Sequence, residues 1–174
     1  RKTLALLNTL LSHEHQTVSI AFNDSNVYFK LANISMVSRL IDERYPDYEN
    51  VIPANNTNKL TIDRVSFLSS LKRIAIYSNR TTHQIKLSIA GSELHIFAED
   101  FDFSNEANER LTCEYEGDDL EIGFNAKFLI EMLSNLSAAE VEMHFSGPSK
   151  AGLIFPKEKD AEEDLLLLIM PVIL

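Results

Sequence analysis

Leu40-Ile41-Asp42-Glu43-Arg44-Tyr45-Pro46-Asp47-Tyr48-Glu49-Asn50-Val51-Ile52-Pro53 is the stretch whose reading decides the fold. It begins as the end of an apolar run, residues 36–41. It then passes two prolines and two tyrosines with neither a helical nor an alternating period. Proline fixes φ and pushes the residue before it into extended geometry, so the stretch reads as a stiff extended connector. Similar chemistry lies on both sides of it, as expected of a hinge between two copies of one architecture.

Upstream, leucines at 4, 7 and 11, with 6 and 10 beside them, predict a helix over residues 2–12. Alternation of Val18, Ile20 and Phe22 predicts a strand over 17–22, and Asn23-Asp24-Ser25-Asn26 is hairpin-turn chemistry. Strands over 27–31 and 36–41 complete this block. Downstream, a short strand at 59–62 leads to Asp63, a cap for a helix with Val65, Leu68, Leu71 and Ala75 on one face. Residues 84–90 and 93–98 alternate around Gly91-Ser92. Residues 100–108 read as acidic and irregular, and 109–116 and 120–124 as strands. Asn125 caps a helix with Phe128, Leu129, Met132, Leu133 and Leu136 on one face. Strands follow at 141–145, 153–155 and, as the last apolar run, 165–174; residues 157–164 form a charged loop.

The order helix, strand, strand, strand thus occurs at 2–41 and again at 125–174. An offset of 123 residues aligns Leu6 with Leu129, Leu10 with Leu133, Val18 with Val141, Ile20 with Met143 and Phe22 with Phe145. The first block reads as half of a domain like the one formed by the middle and last blocks. The expectation is an α+β chain that belongs to a longer protein and begins inside a domain.

The composition excludes several classes. The chain of 174 residues is 45% hydrophobic, enough for a core, and no run of 18 uncharged apolar residues predicts a membrane span. No basic, apolar leader opens it, and Cys113 stands alone, so a reducing intracellular compartment is expected. The net charge of −10 argues against nucleic acid. The charge is uneven, however. The three predicted helices hold +2, +3 and 0 over residues 1–12, 63–80 and 125–136. A repeated cationic helix can meet a phosphate backbone without reading bases, although a solvated face is the simpler account of Lys72 and Arg73 taken alone.

Catalytic chemistry finds little support. His13 and His15 flank Glu14 without a third ligand, and His83, His95 and His144 are scattered, so surface histidines are expected. Cys113 has no basic neighbour and reads as a packed thiol. Asp100, Asp102, Glu106 and Glu109 lack calcium-loop spacing, and the five isolated glycines form no phosphate loop. No catalytic residue, metal or cofactor is expected. Pro171 is out of place in a buried strand, and the apolar residues beyond it suggest the border of a surface groove that captures a short apolar peptide.

The connector, with Asp42, Arg44, Pro46-Asp47-Tyr48 and Pro53, resembles the interdomain connector of the bacterial DNA sliding clamp, the β subunit of DNA polymerase III. Ile74-Ala75-Ile76-Tyr77-Ser78-Asn79, Leu120-Glu121-Ile122-Gly123-Phe124-Asn125 and Met170-Pro171 with Leu174 match the same family in the same order. The resemblance implies a DNA-clamp fold, helices inside and sheets outside, with residues 1–48 as the second half of the middle domain and 49–174 as the C-terminal domain. It implies a non-catalytic bacterial processivity factor, cytoplasmic and nucleoid-associated, whose full-length protomers pair head to tail around duplex DNA. Its partners would be the polymerase III catalytic subunit, the clamp loader and other proteins carrying the clamp-binding motif.

By matching position, the peptide groove would include Pro46, Asn50, Val51, Thr82, Asn125, Phe128, Lys150, Gly152 and Leu168, Ile169, Met170, Pro171, Val172, Ile173 and Leu174. Arg1, Lys2, Lys72, Arg73 and Lys127 would face DNA, and Ile76 and Tyr77 would form a dimer edge. Asn50 and Ile173 stand where the family often has arginine, and Thr82 where a larger side chain occurs. The family's Asp-Gly-His-Arg-Leu stretch, the other groove wall, is not in this chain. The rival readings are a fragment of an α+β enzyme and a structural oligomerisation module.

Overall fold

The structure, a computed structural model, describes residues 2–11, 17–45, 47–158 and 164–174. Arg1, Pro46, both histidines of the 13–15 segment and most of the 157–164 loop lie outside the described residues. The chain forms two compact units, Arg1–Pro46 and Asp47–Leu174.

The first unit is helix α1 (Lys2–Leu11) with strands β1 (Ser19–Phe22), β2 (Asn26–Lys30) and β3 (Ser35–Arg39), paired antiparallel in the order β1-β2-β3. Asn23 makes the first hairpin: its side-chain oxygen accepts from the backbone N–H of Ser25 and Asn26 at 3.0 and 2.8 Å. The core is small, with Leu7, Phe29 and Leu31 buried and Leu10, Leu11, Val18, Val27 and Met36 packed against them.

The second unit holds two antiparallel sheets. The five-stranded sheet has the order β12-β11-β10-β4-β8, from β4 (Asn58–Asp63), β8 (Glu114–Glu116), β10 (Glu140–Phe145), β11 (Gly152–Pro156) and β12 (Leu167–Ile169). The four-stranded sheet has the order β7-β6-β5-β9, from β5 (Gln84–Ala90), β6 (Glu93–Asp100), β7 (Asn105–Thr112) and β9 (Leu120–Asn125). Helices α2 (Arg64–Ile74) and α3 (Ala126–Ser134) pack against each other and share the core. Period-two burial in β4, β5, β6 and β10 sends Leu60, Ile62, Ile85, Leu87, Ile89, Leu94, Ile96, Val141, Met143 and Phe145 inward. Phe124 of β9 and Phe145 of β10 join the sheets, ring centroids 6.3 Å apart. Each fully buried phenylalanine of this kind contributes about 2–3 kcal/mol by the area it removes from water.

The repeat is real in its order of elements: α1-β1-β2-β3 matches α3-β10-β11-β12. Its burial does not repeat. Leu129, Leu133, Val141, Met143 and Phe145 are fully buried, whereas their counterparts Leu6, Ile20 and Phe22 are exposed. β10 has strands on both sides and shares a core with α2 and α3, while β1 has a paired strand on one side only among the described residues.

Several expectations need correction. The buried face of α2 is Phe67, Ser70, Leu71 and Ile74; of the expected Val65, Leu68, Leu71 and Ala75, Leu71 is fully buried, Leu68 and Ala75 pack against the core half-buried, and Val65 is exposed. Both faces have helical spacing and share Leu71, and the one with Phe67 and Ile74 buries more apolar area. In α3, Phe128 is exposed while Leu129, Leu133 and Leu136 are buried. The segment 100–108 is not irregular throughout, and 109–116 is not one strand. β7 starts at Asn105, and Cys113 separates it from β8 in the other sheet. Ala107, Glu109 and Leu111 alternate inward on this outermost strand, where charged residues are tolerated because one side meets solvent. The connector is not extended throughout: Tyr48–Val51 forms one 3-10 turn, and Ile52 returns to extended geometry before Pro53.

Residues 165–174 are not one strand either. β12 ends at Ile169, and beyond Pro171 the tail crosses to the other sheet, where Val172 bridges Gly123. Proline has no N–H for a ladder, so the strand stops there. No described helix is long and apolar enough to cross a membrane.

Candidate peptide groove and cationic helix faces

Asn125 is the pivot of the candidate groove. As N-cap of α3, its side-chain oxygen accepts from the backbone N–H of Lys127 at 3.0 Å and Phe128 at 3.4 Å. Its amide nitrogen donates to the Thr82 carbonyl at 2.9 Å, and the Ala126 N–H donates to His83 O at 2.8 Å. The start of α3 is thereby tied to the loop before β5, and Phe128 stands exposed one turn in.

The tail is fixed against the same end of the four-stranded sheet. Val172 N–H donates to Gly123 O at 2.9 Å, and Gln84 Nε2 donates to Ile173 O at 3.3 Å. Gly123 is required by this approach: a Cβ there would lie 2.8 Å from both the Val172 carbonyl oxygen and Leu174 Cδ2. The tail so held exposes Met170, Ile173 and Leu174, with Pro171 and Val172 half-buried.

Other expected groove residues divide among distinct surroundings. Asn50, Val51, Lys150 and Met170 line one cavity of about 520 Å3, whose wall also includes Pro53 and Ala54. Thr82 and Leu174 line another of about 400 Å3 with Gln84 and Phe101. Gly152 and Ile169 are paired across β11 and β12 and are buried, so they support the surface from beneath. A Cβ at Gly152 would lie 3.1 Å from the Phe145 ring and 3.3 Å from that of Phe124. Leu168 is half-buried, and Pro46 falls outside the described residues.

Of the expected DNA-facing residues, Arg1 also falls outside the described residues, and Lys2 is exposed on α1 of the other unit. Lys72 and Arg73 are exposed in the last turn of α2, where cations also complement the helix dipole. Lys127 is exposed in the first turn of α3. Arg73 is not free: Nε and Nη2 each meet a Glu109 carboxylate oxygen at 2.6 Å. That contact holds the Glu109 carboxyl below its usual range and raises the arginine further. Arg64, the third cation on α2, turns inward and donates to the Ala138 and Leu133 carbonyls at the end of α3. Sequence reasoning missed both partnerships; the alternation Ala107, Glu109, Leu111 was the available signal for the first.

Ile76 and Tyr77 lie exposed in a 3-10 turn, Ala75–Tyr77, that follows α2. β7 forms an outer edge of the four-stranded sheet. Among the described residues no group of His, Cys, Asp and Glu side chains could hold a metal ion. Cys113 is buried, and burial raises its thiol pKa, which opposes a nucleophilic role.

Comparison with known proteins places the chain in one family. Residues 49–172 match the family model described as the C-terminal domain of the DNA polymerase III beta subunit, and residues 1–47 match the model of its central domain. A beta sliding clamp of Staphylococcus aureus is 30% identical over 167 residues, which is 95% of this chain and 44% of that protein. A DNA polymerase sliding clamp from Pseudomonas aeruginosa, solved with a ligand, is 28% identical with a TM-score of 0.87, covering 99% of this chain and 46% of that one. A sliding clamp from Bartonella birtlesii bound to griselimycin is 31% identical with a TM-score of 0.85, again over 99% and 46%. The chain spans less than half the length of the curated relatives it matches.

Proposed function

Because the chain belongs to the DNA polymerase III beta subunit family, with residues matching both its central and its C-terminal domain, we propose that it serves as part of a processivity clamp. In this reading it encircles duplex DNA as part of a closed ring and tethers polymerases and the clamp loader through a surface groove. It performs no chemistry, and it works in the bacterial cytoplasm at the nucleoid. The domain boundary lies at 48/49, and the full-length protomer pairs head to tail, with Ile76 and Tyr77 at the joining edge. DNA contact falls to Lys2, Lys72, Arg73 and Lys127, with Arg1. Retention by ring topology needs only weak, sequence-independent phosphate contacts, which are compatible with sliding.

The observation that carries the reading is the terminal stretch. It leaves its own sheet after Pro171, is held by Gly123 and Gln84, and exposes Met170, Ile173 and Leu174 instead of burying them. An exposed apolar edge on a fixed backbone suits a partner side chain. Burying a leucine and an aromatic side chain there contributes roughly 1.5–3 kcal/mol each. Ordering a flexible peptide offsets part of that, so a micromolar dissociation constant is expected for a complete groove and a weaker one for this chain alone.

The test is calorimetric titration of a Gln-Leu-x-Leu-Phe-type peptide into the chain and into a version lacking Val172, Ile173 and Leu174, with circular dichroism as the fold control. Binding should disappear in the shortened chain while the fold stays. Equal affinity in both would remove the tail from the groove. Griselimycin, to which the Bartonella clamp is bound, is a second compound to titrate into both versions.

A further inference from the structure

The cavity that shares Thr82 and Leu174 with the candidate groove has a chemistry the groove reading leaves unused. Its volume, about 400 Å3, lies at the small end of the ~300–1,000 Å3 usual for ligand sites. Ile85 and Ala98, both buried, make an apolar base. Two aromatic rings border it: Phe97, half-buried on β6, and Phe101, which is 83% exposed. Two carboxylates face it from the same segment. Glu99 has no hydrogen bond or ion pair among the described residues, and Asp102 accepts only a 3.3 Å bond from the Asn79 amide. The one cation on the wall, Lys86, is held at 3.2 Å by Glu121 and lies 5.8 Å from the Phe97 ring centroid. The lining is therefore anionic and aromatic, with its own cation beside Phe97 and the exposed Phe101 ring left open beside Glu99 and Asp102.

We propose that this cavity receives the cationic side chain, arginine before lysine, of a partner peptide whose apolar residues lie along the tail 170–174. A guanidinium offers a flat face to aromatic rings and a fork of donors to carboxylates, which matches both wall chemistries at once. The same loop already shows such packing internally: the Arg80 guanidinium carbon lies 4.8 Å from the Phe103 ring centroid. The position is fixed with respect to the tail, because Gln84 holds the Ile173 carbonyl and Asn125 holds the Thr82 carbonyl. The peptide part of this inference rests on the groove reading; the cation preference of the cavity stands apart from it.

Two measurements separate them. In the first, the chain is titrated at low salt with N-acetyl-arginine amide and with N-acetyl-citrulline amide, its neutral isostere, and backbone amide resonances of residues 99–102 are followed by NMR. The arginine compound should shift them and citrulline should not. In the second, the Gln-Leu-x-Leu-Phe-type peptide is extended at either end by arginine or by citrulline and titrated calorimetrically. At one end arginine should tighten binding about two- to fivefold over citrulline, the range of one partly exposed cation–π or ion-pair contact. The double variant Glu99→Gln, Asp102→Asn should abolish that preference and leave the unextended peptide's affinity unchanged. Arginine and citrulline behaving alike in both measurements overturns the inference. Shifts from arginine amide without any binding of the unextended peptide would sink the groove reading and leave the cation site standing.

Discussion

Arg73 and Glu109 meet in a two-point ion pair, each carboxylate oxygen 2.6 Å from a guanidinium nitrogen. The arginine lies in the last turn of α2 and the glutamate on the outer strand β7, so the contact staples a helix to a sheet edge. The pair is partly exposed, and solvent screening keeps its share of stability small. Its larger effect is on availability, since a guanidinium already gripped at two points has less to offer a phosphate.

The Glu109 carboxyl is held below its usual range, first by the Arg73 hydrogen bonds. A lowered folded value means that the stabilisation is present above the unfolded carboxylate range, near pH ~4.3, and is lost as pH falls through the folded value. Carboxyl NMR titration should show Glu109 below an ordinary glutamate in the parent and moved up in Arg73→Gln. The stability difference between the two proteins should shrink toward zero in acid. A Glu109 titration unmoved by the substitution would show that the pair does not form in solution.

For DNA, the same ion pair ranks the two neighbours. Lys72 has no ion pair among the described residues, so it should contribute the larger part of any phosphate contact from α2. Binding of a short duplex to the chain at low salt should weaken more for Lys72→Glu than for Arg73→Glu. The slope of log affinity against log salt should fall by about 0.9 for each phosphate that the variant no longer neutralises. An unchanged affinity and slope in Lys72→Glu would take this helix off the DNA surface.

Gly123→Ala places a methyl group against the Val172 carbonyl and the Leu174 side chain, both 2.8 Å from its Cβ. One of these belongs to backbone, so the tail must move. The expected cost is about 1–3 kcal/mol in denaturant unfolding, as for overpacking elsewhere. Hydrogen exchange at the Val172 amide should also accelerate, because its bond to Gly123 O is the one displaced. Parent-like exchange at Val172 would mean that the tail adapts without leaving the sheet.

The legible parts of the chain are those where local chemistry decides. Asp63 and Asn125 cap the helices expected of them, because a short polar side chain before an apolar period has few other uses. The alternation of β5, β6 and β10 names its buried residues without help, since one face of each strand meets the core. The failures lie where a distant partner decides. Phe67 defeats Val65 only because the sheets beneath α2 have room for the larger ring. β7 is hidden in acidic sequence because its outer edge meets no strand among the described residues. The end of β12 at Ile169 depends on a proline and on a glycine far back in the chain. In the candidate groove, the connector and the Met-Pro pair are legible from sequence, whereas the division into two cavities follows from where the tail crosses the sheet.

Cys113 is the one residue between β7, which belongs to the four-stranded sheet, and β8, which belongs to the five-stranded one. Its backbone N–H is bonded to Ser92 O at 2.9 Å, and its side chain is buried. Tension applied along β7 therefore reaches the second sheet through a single anchored peptide link, with no slack to take up. Under a pulling force along that strand the two sheets share the load from the start, and the C-terminal unit should yield in one mechanical step, not sheet by sheet.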